Sequence, residues 1–147
     1  MSKIIIVSNR LPVKLTDNAG DYSFIPSEGG LATGLGSIYN EKNNVWIGWP
    51  GMEISDPGMQ QRVNRKLDKI NLKAVFLNQE EINHFYEGFS NEILWPVFHY
   101  MPTYARYHQT YWDYYYSVNE KFRNAVLEII EPGDIVWVHD YQLLLLP

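Results

Sequence analysis

Arg10 follows an apolar stretch near the start of the chain and is the first residue whose position suggests chemistry. The segment KIIIVSNRLP, residues 3–12, has the pattern of a buried strand that runs directly into polar residues and a proline. An arginine is rarely buried without a partner, and its planar guanidinium presents five donors in a fork that fits carboxylate or phosphate. We therefore expect a ligand with such a group at this position.

Gly29 and Gly30 are the second candidate, because they precede a segment with helical spacing. Paired glycines at a helix entrance let a ligand approach the backbone, and the N-terminus of a helix favours anions. On these residues alone, a tight turn is the simpler interpretation. The GxGxxG fingerprint of dinucleotide binding is absent after the first predicted strand.

His139, Asp140 and Tyr141 follow the last predicted strand, VWV. Ligands of open α/β sheets bind at the carboxyl ends of the strands, which makes Asp140 a candidate ligand contact. Alternatively, Asp140 caps a helix that begins near Tyr141, and the local pattern leaves both interpretations open. Tyr86 and Trp95 are further aromatic candidates, although core packing is the simpler role for a single aromatic side chain.

No metal site is predicted. The sequence has no cysteine and forms no HxH or HxxxH pair from its four histidines, which are His84, His99, His108 and His139.

The segments that must position these residues alternate between strand and helix patterns, which predicts an α/β fold with a mostly parallel, Rossmann-like sheet. Strands are predicted at 3–8, 22–25, 45–49, 72–77 and 134–140, the last buried on both faces. A loop that leads into a helix is predicted within 28–39, and two further helices are predicted at 57–70 and 108–130. Asn78 and Glu81 have capping-box spacing. Turn signals fill 12–28, and the aromatic segment 89–100 is broken by Pro96.

The end of the sequence, YQLLLLP, predicts the start of a helix on the sheet that goes no further. We therefore expect residues 1–147 to form an incomplete domain.

Composition narrows the class of protein. The 147 residues are 46% hydrophobic and 20% charged, which is typical of a globular domain. The absence of cysteine excludes disulfides and favours a cytoplasmic location, and no signal peptide is recognisable. The net charge of −5 argues against nucleic acid, and no apolar stretch approaches the ~20 residues of a membrane span. The 11 tyrosines and 5 tryptophans suit sugar rings as well as ordinary cores.

Four motifs occur in a fixed order along the chain: VSNRLP, EGGLATGL, YEGFSNEILWP and VWVHDYQLLLLP. In this order they resemble the N-terminal part of the trehalose-6-phosphate synthases, retaining glycosyltransferases of glycosyltransferase family 20 with the GT-B fold. The resemblance runs from Ile4 to Pro147. It implies an acceptor-side, Rossmann-like N-terminal domain, separate from a C-terminal nucleotide-sugar domain that this chain lacks. It also implies glucose transfer from UDP-glucose to glucose 6-phosphate with retention, giving α,α-trehalose 6-phosphate and UDP.

The resemblance assigns five residues to the acceptor, glucose 6-phosphate. Arg10 would bind its phosphate, and Tyr86 would contact the same sugar phosphate. Trp95 would form a wall of the acceptor pocket. Asp140, the expected catalytic residue, would hydrogen bond the acceptor sugar, with Tyr141 close by.

Gly29 and Gly30 would lie against the glucosyl-diphosphate region of the donor, where a side chain would collide. The implied chemistry needs no protein nucleophile, cofactor or metal, because the leaving phosphate can accept the proton of the attacking hydroxyl. Family members often have histidine where this chain has Gln142. The complete enzyme is a possible homo-oligomer, and its partners are its two substrates, with no nucleic acid or membrane.

Two alternatives remain. The chain could belong to a non-catalytic homologue that senses sugar phosphates, although its intact acceptor residues favour an active synthase. It could also belong to a related synthase with another phosphorylated acceptor, such as glycerol phosphate, which Arg10 would serve equally well. We expect the 147-residue piece alone to be inactive, because most donor contacts of the family lie beyond Pro147.

Overall fold

The strands of the central sheet are separated along the chain by helical segments, as the sequence predicts. A computed structural model describes residues 2–27, 29–39 and 43–147. Glu28, with which the predicted loop into the first helix begins, lies outside the described residues. The strands and α-helices are β1 (Ile4–Arg10), β2 (Val13–Asn18), β3 (Asp21–Pro26), α1 (Gly30–Tyr39), β4 (Val45–Trp49), α2 (Pro57–Asp68), β5 (Leu72–Ala74), α3 (Gln79–Glu81), α4 (Trp95–Phe98), α5 (Gln109–Leu127) and β6 (Ile135–Val138).

The central sheet has four parallel strands in the order β5, β4, β1, β6, which confirms the predicted α/β class. On one face, Ile5 and Val7 of β1 pack against α5 and a π-helix, Ile82–Leu94. On the other face, Ile6 packs into a second cluster with residues of α2. Because both faces of β1 are covered, its apolar run is continuous, as is usual in parallel sheets. None of the described helices is both long and apolar enough to cross a bilayer.

The predicted strand at 22–25 is confirmed as β3, and it forms a two-stranded antiparallel hairpin with β2, which the turn signals of 12–28 did not predict. Ala19 and Gly20, at its tip, both have positive φ, which suits a tight hairpin turn. Val13 and Leu15 alternate with polar residues and pack partly against the α2 side of the core. This period-two pattern indicates a half-buried strand, but the neighbouring turn residues led to the prediction of a turn region instead.

The prediction that 134–140 is buried on both faces is also wrong, because β6 is an edge strand. Ile135 and Trp137 are 59% and 39% exposed on one face, while Val136 and Val138 pack against the core on the other. On the side of the sheet where Ile135 and Trp137 are exposed, α2 packs beside β5, which lies at the other edge of the sheet from β6. The final apolar segment forms only a 3₁₀ turn, Tyr141–Leu143, rather than the start of an α-helix.

The helical segment after β5 begins where the sequence places it. Asn78 Oδ1 accepts a hydrogen bond from the Glu81 amide, and Glu81 Oε2 accepts one from the Asn78 amide, which confirms the capping box. The predicted break at Pro96 is wrong, because α3, the π-helix and α4 follow one another without interruption. Pro96 falls in the first turn of α4, where its missing amide is tolerated.

Candidate functional site

A cavity of about 280 Å³ opens at the carboxyl end of the sheet. Its wall comes from the end of β1, the start of α1, the π-helix and the segment after β6. Five of the seven predicted site residues line it, namely Arg10, Gly29, Gly30, Tyr86 and Asp140. The fold therefore brings together side chains that are up to 130 residues apart in sequence (Arg10 to Asp140).

The pairing of β1 with β4 is irregular just before Arg10, where β1 reaches the cavity. The pairing with β4 shifts register between Val7 and Arg10. Ser8 fixes this irregularity, since its hydroxyl donates to the Arg10 carbonyl at 2.7 Å and accepts from Trp46 Nε1 at 2.7 Å.

The guanidinium of Arg10 is exposed and is held by weak partners. Its Cζ lies 5.0 Å from the ring centroid of Trp49, and its Nη2 donates to the Gly51 carbonyl at 3.4 Å. Within residues 2–27, 29–39 and 43–147, Arg10 forms no ion pair with a carboxylate. Its positive charge is therefore available to an anion in the cavity.

Gly51 was missed by the sequence reasoning, although it controls the space around Arg10. Its φ is +89°, and a Cβ added there would collide with Arg10 Nη2. The available signal was the Pro50–Gly51 turn at the end of a strand, but its relevance depends on β4 lying beside β1.

Asp140 caps the turn after β6 and also lies at the cavity. Its carboxylate accepts from the Tyr141 amide at 2.8 Å, as a cap does, and the residue also lines the cavity. Its backbone has φ 74° and ψ 167°, a region that is populated almost only by glycine. Such strain costs about 1–3 kcal/mol and clusters at functional sites.

Tyr86 and Tyr141 stand on the π-helix side of the site. The ring of Tyr86 lies 6.4 Å from that of Trp49, beside Arg10. Tyr141 adjoins Asp140 but does not line the cavity, and its hydroxyl donates to Asn91 Oδ1 at 3.3 Å. Burial, reinforced by the nearby Asp140 carboxylate and by Tyr86, raises the pKa of Tyr141, so its hydroxyl stays protonated.

Trp95 is not brought into the Arg10 cavity. Its indole stacks on His99 with ring centroids 3.9 Å apart and lines a second cavity of about 500 Å³ together with Arg106. Asn91 also lines this second cavity, and its side chain accepts the hydrogen bond from the Tyr141 hydroxyl.

Two buried residues of α5 hold the turn that carries Asp140. The Tyr115 hydroxyl donates to the Tyr141 carbonyl at 2.7 Å and accepts from the Leu144 amide at 3.1 Å. Asn119 Nδ2 donates to the carbonyls of Tyr115 and Gln142. Burial raises the pKa of Tyr115 to about 12, so this hydroxyl remains a donor.

Neither Tyr115 nor Asn119 was singled out from the sequence as part of the site. The missed signal was a polar residue, Asn119, inside the apolar stripe of α5, next to Val118.

The start of α1 forms part of the cavity wall. A Cβ added at Gly29 or Gly30 would meet no described atom within 4 Å, so packing inside the chain does not demand glycine there. The first amides of α1 lack partners within the helix, which suits an anion. Among the described residues, no cluster of three histidine, aspartate or glutamate side chains could hold a metal ion.

The comparisons with known proteins agree on one family. The family model of glycosyltransferase family 20 matches residues 2–147. The 56 kDa subunit of the UDP-forming α,α-trehalose-phosphate synthase of Saccharomyces cerevisiae is 42% identical to this chain over 146 residues, which cover 98% of this chain and 30% of the relative.

Two solved structures share the fold. One is an Escherichia coli structure described as trehalose-6-phosphate bound with UDP-2-fluoro glucose. It has a TM-score of 0.71 and 26% identity to this chain, and the match covers 99% of this chain and 29% of the Escherichia coli chain. A Burkholderia xenovorans α,α-trehalose-phosphate synthase in complex with glucose 6-phosphate has a TM-score of 0.67 and 26% identity, covering 97% and 30%. The chain thus spans about a third of the length of the relatives that it matches.

Proposed function

This chain belongs to glycosyltransferase family 20, and from that premise we propose that it is the acceptor-side domain of a retaining α,α-trehalose-phosphate synthase. The complete enzyme would transfer glucose from UDP-glucose to glucose 6-phosphate. The observation that carries the proposal is the Arg10 guanidinium, which lines one cavity with Tyr86 and Asp140 and has no carboxylate partner among the described residues.

In the proposed complex, the acceptor lies between charges of opposite sign. Arg10 binds the phosphate through charge-assisted hydrogen bonds, with Tyr86 as a second contact, and Asp140 accepts a hydrogen bond from a hydroxyl of the ring. The glucose 6-phosphate bound to the Burkholderia xenovorans structure supports this choice of ligand.

The donor is proposed to lie against Gly29 and Gly30, where the open space and the start of α1 accommodate a diphosphate. During transfer, the bond between the glucose anomeric carbon and the diphosphate oxygen breaks. A bond forms on the same face to the anomeric hydroxyl of the acceptor, and the proton of that hydroxyl passes to the departing phosphate. The residues of this chain contribute positioning and charge stabilisation, with Asp140 orienting the acceptor.

Several sequence-based assignments stay predictions. Trp95 as a wall of the acceptor pocket requires the second cavity, which its indole lines, to join the first. The cytoplasmic location, the homo-oligomer and the inactivity of the isolated 147 residues also stay predictions.

The proposal is tested by calorimetric titration of the chain with glucose 6-phosphate, glycerol 3-phosphate and inorganic phosphate. Arg10→Met should weaken glucose 6-phosphate binding by roughly 10- to 100-fold, the value of a charged hydrogen bond. Arg65→Met in α2, outside the cavity lining, is the matched control and should change nothing.

Equal binding by Arg10→Met and the unaltered chain would contradict the acceptor role. Stronger binding of glycerol 3-phosphate than of glucose 6-phosphate would favour a synthase with another acceptor. In the complete protein, acceptor binding without UDP release from UDP-glucose would indicate the sensing homologue.

A further inference from the structure

Two buried amide side chains border the cavity and have unsatisfied oxygens. Asn9 and Gln142 are only 6% and 7% exposed, and both line the cavity beside Arg10 and Asp140. Asn9 Oδ1 and Gln142 Oε1 have no hydrogen-bond partner in the described part of the chain. An unpaired buried polar atom destabilises the fold, so native structures contain few of them without a reason.

The main chain is held in place at both amide residues. Asn9 lies within the register shift that Ser8 stabilises, between β1 and β4. The Gln142 carbonyl accepts from Asn119 Nδ2 at 3.1 Å, which ties its turn to α5. Neither amide therefore gains a partner by a simple movement of its backbone.

The other unpaired buried atoms within the described residues do not belong to the cavity lining. They are Trp49 Nε1, Asn119 Oδ1 and His139 Nε2. Among the described residues, the side chains that combine an unpaired oxygen with a position at the cavity are thus Asn9, near the end of β1, and Gln142, in the turn after the neighbouring β6.

We infer that Asn9 and Gln142 determine specificity for the sugar ring of the acceptor by hydrogen bonding its hydroxyl groups, an inference that rests on the proposed function. A phosphate dianion has only acceptor oxygens, so it meets an amide only through the NH2 group and leaves the amide oxygen unpaired. A hydroxyl both donates and accepts, so it satisfies an amide in either orientation about its last side-chain bond. The two amides would thereby favour an acceptor that carries the ring hydroxyls over an analogue that lacks one of them.

The test compares calorimetric affinities of the chain for glucose 6-phosphate, its monodeoxy analogues and inorganic phosphate. In the unaltered chain, removal of the hydroxyl that meets Gln142 should weaken binding by roughly 3- to 15-fold, the worth of one neutral hydrogen bond. In Gln142→Met, that same analogue should bind about as well as glucose 6-phosphate, while the affinity for inorganic phosphate stays unchanged. A purely structural role would weaken every ligand alike.

Gln60→Met is the matched control, because Gln60 Nε2 donates to the Ile54 carbonyl at 2.6 Å outside this cavity. It should keep the full discrimination between glucose 6-phosphate and the analogues. If Gln142→Met does not fold, Asn9→Leu with the same ligands provides an independent test.

The outcomes separate the inference from the proposed function. Unchanged discrimination in both Gln142→Met and Asn9→Leu would overturn the inference, while glucose 6-phosphate binding that depends on Arg10 would leave the proposed function standing. If the unaltered chain binds none of these ligands, the proposed acceptor site and the inference both fail.

Discussion

Replacing Asp140 by glycine and by alanine tests whether its backbone is strained for the sake of the site. Both variants lose the same carboxylate and its hydrogen bond from the Tyr141 amide, worth about 1 kcal/mol. Their difference in stability therefore reports the backbone alone. At φ 74° and ψ 167°, glycine relieves about 1–3 kcal/mol of strain that alanine retains.

Glycine also destabilises the fold by about 0.5–1 kcal/mol, because it increases the conformational entropy of the unfolded chain. The net expectation is that Asp140→Gly is more stable than Asp140→Ala by about 0.5–2 kcal/mol. This order is the reverse of the usual one, in which alanine is the more stable residue.

Urea unfolding of the two variants, followed by tryptophan fluorescence, measures the difference directly. In parallel, calorimetry should show that both variants lose glucose 6-phosphate binding, because neither has the carboxylate. Asp140→Asn, which keeps the size of the side chain, serves as the control for packing. Equal stability of the two variants, or a more stable alanine variant, would refute the strained conformation of Asp140.

The remaining predictions concern Gly51 and His139. Gly51→Ala should weaken glucose 6-phosphate binding several-fold, because its Cβ would displace the Arg10 guanidinium and its φ of +89° disfavours a side chain. Calorimetry measures this, and unchanged affinity would show that the position of the guanidinium is not critical. Burial lowers the pKa of His139 below its ordinary value of 6.5, so the unfolded chain takes up the proton more readily than the folded one. Stability should therefore be constant above about pH 6.5 and fall with decreasing pH down to the folded pKa, by at most about 1.4 kcal/mol per unit. Urea unfolding at several pH values should show a smaller loss for His139→Asn, and an identical loss would exclude His139 as the cause.

The sequence was sufficient for the features that depend on local chemistry. The Asn78–Glu81 capping box was predictable because both partners lie within one turn. The parallel sheet was predictable because continuous apolar runs alternate with helical periodicity. Arg10 and Asp140 could be proposed because each follows an apolar strand pattern, at the edge where α/β sheets bind ligands.

What the sequence did not reveal depends on which elements are neighbours in space. The exposure of Trp137 follows from β6 being an edge strand, and the role of Gly51 follows from β4 lying beside β1. In the sequence, Asn119 is an ordinary helix residue. Only the structure shows that its side-chain amide donates to the Gln142 carbonyl and so holds the turn after β6. Trp95 belongs to the same sequence motif as Tyr86, but the direction of α4 places its indole in a separate cavity.

A crystal structure of this chain with bound glucose 6-phosphate would show directly whether Arg10 holds the acceptor phosphate. We expect phosphate oxygens within hydrogen-bonding distance of the Arg10 guanidinium, which is drawn away from the Gly51 carbonyl, and a ring hydroxyl against the Asp140 carboxylate. A phosphate bound instead beside Arg106 and Trp95, with Arg10 still resting on Gly51, would contradict it.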